Sequence, residues 1–70
     1  MSRRRAMFHP GDRIALVYTT DPHTRLRPGD QGTVTAYQPN ARWGTRLDVD
    51  WDSGSNLTML LDEGDHVRKL

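Results

Sequence analysis

Leu47-Asp48-Val49-Asp50-Trp51-Asp52-Ser53-Gly54-Ser55-Asn56-Leu57 writes a strand, a turn and the start of a second strand in one short run. Leu47, Val49 and Trp51 alternate with Asp48, Asp50 and Asp52, and a period of two puts the apolar side chains on one face and the carboxylates on the other. One face is core and the other meets water. Gly54 can adopt the positive φ that a tight turn at Asp52–Ser55 needs. The stretch therefore predicts a half-buried antiparallel hairpin.

Outward from this hairpin the same strand chemistry recurs. Asn56 to Leu61 reads as the strand after the turn, and Glu63-Gly64-Asp65 as a further tight turn. His66 to Leu70 then reads as a short closing edge strand with Val67 inward. Upstream, Arg46 to Trp51 follows a hairpin loop from Gln38 to Thr45 that contains Pro39-Asn40 and Gly44. Before it comes Thr33-Val34-Thr35-Ala36-Tyr37, an alternating strand entered through Gly29-Asp30-Gln31-Gly32. Arg13 to Tyr18 is the first strand. Thr19 to Pro28 carries Asp21-Pro22 and Arg27-Pro28, which bar a continuous ladder and imply a long shaped loop. Five short strands without a helical period predict an all-β fold, a small closed or partly closed barrel over residues 8–70. Residues 1–7 read as a flexible basic arm. The expected core is Ile14, Leu16, Val34, Ala36, Leu47, Val49, Trp51, Leu57, Met59 and Val67.

Length and composition narrow the function classes. Seventy residues make one domain, which buries only roughly 60% of the surface its unfolded chain exposes. With no cysteine there is no disulfide and no thiolate zinc site, and a reducing cytoplasm is the expected home. No run approaches a membrane helix, and the opening Met1-Ser2-Arg3-Arg4-Arg5 is not followed by the apolar stretch of a signal peptide. A soluble protein is expected. The net charge of +1 includes Arg3, Arg4 and Arg5; without them the body is slightly acidic, at −2. Bulk charge therefore does not draw in a polyanion, and nucleic-acid binding would need the arm or a local basic patch.

Catalytic and metal motifs fail on their details. Asp48-x-Asp50-x-Asp52 echoes the start of a calcium loop, but the sixth position is Ser53 instead of glycine and the twelfth is Met59 instead of glutamate. His9, His23 and His66 fall in separate turns with no cysteine among them. Ser53 and Ser55 flank a turn glycine without the strand-turn-helix setting of a nucleophile elbow. No catalytic residue, metal site or cofactor is expected.

At Gly11-Asp12-Arg13-Ile14, Gly29-Asp30-Gln31-Gly32-Thr33-Val34-Thr35 and Val49-Asp50-Trp51-Asp52-Ser53-Gly54-Ser55 the chain resembles a bacterial domain family of unknown function. That family looks like an SH3-like barrel and is common in actinobacteria and their plasmids and phages. More distantly the three motifs are similar to Mind-bomb/HERC-type SH3-like modules and KOW-type barrels. The resemblance implies a module that binds proteins or nucleic acids without catalysis. It also implies that the loop after the first strand and the loop between the second and third flank one open groove. Arg25 and Arg27 lie in the first loop, Arg42, Trp43 and Arg46 in the second, and Tyr37 at its root. Arginine beside aromatic rings suits stacking, phosphate grip or contact with an acidic peptide. The leading expectation is docking of a protein partner through this set. The alternative is weak, salt-sensitive binding of single-stranded DNA or RNA through the same loops and the Arg3–Arg5 arm. A third class is assembly, with the His66–Lys69 edge pairing to a second copy.

Overall fold

The computed structural model describes residues 7–21, 24–41 and 44–70. They form an all-β domain with strands β1 (Arg13–Tyr18), β2 (Gln31–Ala41), β3 (Gly44–Trp51), β4 (Met59–Leu60) and β5 (His66–Lys69), and a 3₁₀ turn at Leu61–Glu63. All pairings are antiparallel and the sheet order is β4-β3-β2-β1-β5. Among the described residues no helix is long and apolar enough to cross a membrane. The expected basic arm, with Arg3, Arg4 and Arg5, lies outside the described residues, as do His23, Arg42 and Trp43.

β3 bears the alternation read from its sequence. Thr45, Leu47, Val49 and Trp51 are buried, while Arg46 and Asp50 are exposed. With Phe8, Ile14, Leu16, Leu26, Val34 and Met59 the three apolar residues of β3 make the core, each such side chain contributing about 1.5–3 kcal/mol when fully buried. Trp51 is the largest fully buried side chain. Its indole N–H donates to the Leu57 carbonyl at 3.0 Å, so burial leaves no polar atom unpaired. The indole needs room on β2, where Gly32 lies opposite Trp51. A Cβ on Gly32 would stand 2.7 Å from Val49 Cγ1 and 3.0 Å from Trp51 Cε3, closer than packed carbons approach. A side chain there would displace the core.

β2 departs from its expected pattern at one residue. Val34 pairs with Val49, but the next partners are Ala36 and Asp48, so Thr35 is an extra residue bulged out of the ladder. Its hydroxyl donates to the Asp48 carbonyl at 3.2 Å. A bulge of one residue reverses which positions face inward. Ala36, expected in the core, instead shares a face with Asp48 and is half-buried, while Tyr37 lies opposite Leu47 and packs against the core. β2 also runs on to Ala41 and β3 begins at Gly44, so the described residues of the expected Gln38–Thr45 loop lie in strands, with an irregular register between Gln38 and Ala41.

The expected fourth strand, Asn56–Leu61, contracts to Met59–Leu60 opposite Leu47 and Arg46. Local bonds use up groups a longer ladder would need: Leu57 N–H donates to Ser55 Oγ at 3.2 Å, and Trp51 N–H to the Ser55 carbonyl at 3.0 Å. Leu57 and Val67 are half-buried against the core, and Leu26, from the proline-flanked loop, is a buried member that the alternation did not mark.

Candidate functional site

Three of the open depressions on the described surface differ in chemistry. The first, of about 270 Å³, is walled by Phe8, Tyr37, Leu61 and Val67, with Thr45, Asp62, Asp65 and His66. The second, about 450 Å³, lies on the outer side of the β2–β3 hairpin among Thr35, Arg46, Asp48, Asp50, Asn56 and Thr58. The third, about 490 Å³, lies between the long loop and the turn after β3, with Asp21, Thr24, Arg25, Ser53, Ser55 and Leu57.

The first depression has an apolar floor because local bonds hold each wall. Phe8 enters through a turn in which Asp12 N–H donates to the His9 carbonyl at 3.0 Å, with Pro10 supplying the fixed φ that such a turn favours. The Asp12 carboxylate accepts the His9 N–H at 2.9 Å, which together with nearby Lys69 holds its pKa below the ordinary value. Gly11 N–H and Val34 N–H bond across to Val34 and Asp12 carbonyls, both at 2.8 Å, and tie the turn to β2. The Phe8 ring then meets Tyr37 edge to face at 5.5 Å, with Lys69 Nζ 5.5 Å from its centroid.

The opposite wall is built from carboxylates. Asp65 is buried, at 7% exposure, and both oxygens are satisfied from within the chain. Oδ1 accepts from Thr19 Oγ1 at 2.9 Å and Thr20 N–H at 3.1 Å, and Oδ2 from Leu60 N–H at 2.9 Å. A buried carboxylate without such donors would be costly. Here it joins the end of β1 to β4. Gly64 permits the close approach, with φ of 103° and a would-be Cβ only 2.9 Å from Thr20 Cγ2. Asp62 Oδ2 accepts Thr45 N–H at 3.0 Å and Thr45 Oγ1 at 3.2 Å, fixing the 3₁₀ turn against β3.

The residues singled out from sequence are distributed among these places. Tyr37 lines the first depression, Arg46 the second and Arg25 the third. Tyr37 pairs with Leu47 and Arg46 with Gln38, adjacent rungs whose side chains face opposite sides of the hairpin. Arg46 Nε donates to Asp48 Oδ1 at 3.2 Å, and the same oxygen accepts from Thr58 Oγ1 at 3.0 Å. Arg27 is exposed, with its backbone N–H held by Asp30 Oδ2 at 3.1 Å. Phe8, Leu61, Asp62 and Asp65 are not among the residues singled out from sequence: Phe8 borders the arm, Leu61 reads as the end of a strand, Asp65 reads as a turn former, and Asp62 falls between those two elements. Among the described residues no group of three or more His, Cys, Asp or Glu side chains could hold a metal ion.

A family model described as a domain of unknown function, DUF4314, matches residues 1–70. The chain belongs to the DUF4314 family. No curated protein and no solved structure matches this DUF4314 domain.

Proposed function

We propose that this DUF4314 domain is a non-catalytic, SH3-like binding module that docks a segment of a protein partner. Support for the SH3-like reading comes from the strand order β4-β3-β2-β1-β5 and the 3₁₀ turn between the last two strands. The observation that carries the docking reading is the depression walled by Phe8, Tyr37, Leu61 and Val67 and open to solvent. At about 270 Å³ it falls below the volume of most small-molecule sites, which run roughly 300–1,000 Å³. It suits one or two side chains of a peptide. The other depressions are each lined by a single apolar side chain, Val49 in the second and Leu57 in the third, and at the second the Arg46 charge is already met by Asp48.

Panning the whole chain against a random peptide library and mapping the binders by amide shifts tests this reading. Shifts centred on Tyr37, Thr45, Leu61 and Val67 are expected. Parallel titrations with single-stranded DNA, duplex DNA and RNA at two salt concentrations supply the contrast. Salt-sensitive shifts at Arg25, Arg27 and Arg46 would overturn protein docking in favour of nucleic acid.

A further inference from the structure

Leu61-Asp62-Glu63-Gly64-Asp65 places two carboxylates, Asp62 and Asp65, on the lining of the apolar depression with Glu63 between them in the turn, and the three are not equivalent. Asp65 is consumed by its internal donors and serves as wall. Asp62 is exposed and commits only Oδ2 to Thr45, so its other oxygen is held in place with no bond of its own among the described residues. Glu63, next on the turn, is exposed, and its carboxylate has no hydrogen bond or ion pair among the described residues.

Three acids elsewhere in the domain are ion-paired. Asp12 has Lys69 at 3.6 Å, Asp48 has Arg46 at 3.2 Å and Asp52 has Arg13 at 2.6 Å. Asp62 and Glu63 form no ion pair among the described residues. Negative charge with no ion pair among the described residues thus borders an apolar floor.

We infer that the depression takes a cationic side chain, Arg or Lys, from the docking segment. Its aliphatic stem lies along Tyr37, Leu61 and Val67, as such stems do on apolar surface. Its charged head meets the open oxygen of Asp62, with Glu63 adding to the field. Because Thr45 fixes the Asp62 carboxylate beforehand, little ordering is left for the moment of binding. This inference rests on the reading of the depression as a docking surface.

The peptides recovered from the random library separate the two claims. The expected binders carry Arg or Lys next to an apolar residue and shift Tyr37, Thr45, Leu61 and Asp62. Asp62→Asn combined with Glu63→Gln should weaken them roughly three- to tenfold at low salt, with the difference fading near 1 M salt. Glu63→Gln alone disturbs no internal bond and should give a smaller loss, which guards against a folding defect in the double variant. Unchanged affinity in both variants overturns the cationic assignment. So do uncharged or acidic binders at the same residues, while leaving docking there intact. Binders that shift only other residues overturn both.

Discussion

The two sides of the β2–β3 hairpin carry different chemistry, and the difference comes from one residue. On the outer side Arg46, Asp48 and Thr58 satisfy one another, and the surface offers nothing that water does not already solvate well. On the inner side Tyr37 continues the core out to an open, apolar depression whose Asp62 forms no ion pair among the described residues. The Thr35 bulge decides which side Tyr37 joins. A list of charged and aromatic loop residues cannot locate a site until the parity of the strand beneath it is known.

The harshest way to break this comparison is Val49→Asp, which puts a carboxylate at a position 3% exposed, opposite Val34 on the inner face. The variant should lose cooperative thermal unfolding altogether, and a wild-type melt would show that the inner face is misassigned. Next comes Asp65→Asn. The amide keeps the shape but has one acceptor oxygen, so either the Thr20 or the Leu60 N–H loses its partner. A destabilisation of about 3 kcal/mol in urea melts is expected.

Tyr37→Ala removes the edge-to-face contact with Phe8 and part of the floor, at about 2 kcal/mol by the same melts. Asp52 offers a gentler contrast to Asp65: it is exposed and gripped by both Arg13 guanidinium nitrogens, at 2.8 and 2.6 Å. Those hydrogen bonds hold its pKa below the ordinary carboxylate value. A depressed folded pKa means that the pair's contribution is complete above the unfolded pKa of about 3.9 and is lost as pH falls through the folded value. Asp52→Asn should therefore lower the melting temperature slightly at neutral pH and match wild type in acid. A gap that persists in acid would remove the ion pair as its cause. Smallest of all, Arg46→Ala should change stability by less than about 0.5 kcal/mol, since its pair with Asp48 is exposed.

Strand chemistry was legible wherever one element's own alternation decided it. β1 spans the expected Arg13–Tyr18, and the inner face of β3 is Leu47, Val49 and Trp51 as read. What escaped depends on partners distant in sequence. Thr35 is a good strand residue, and only the pairing of Val34 and Ala36 with β3 shows it to be extra. Asp65 looks like any turn acid until Thr19 and Thr20, far upstream, supply its donors. Phe8 sits next to a basic run, so nothing local distinguishes a core aromatic from the end of an arm. Of the expected binding set, Tyr37 sits at the depression that carries the proposal. Arg25 and Arg46 open on other surfaces, and Arg42 and Trp43 lie outside the described residues.

The reversed parity of β2 is the claim on which the site rests, and proton–proton NOEs in the labelled protein test it most directly. Cross-peaks from the Tyr37 ring to the Phe8 ring and to the Leu47 methyls are expected, with none from the Ala36 methyl to Leu47 or Met59 methyls. Ala36 cross-peaks into that core, with a Tyr37 ring that sees only solvent, would contradict the bulge and remove the depression with it.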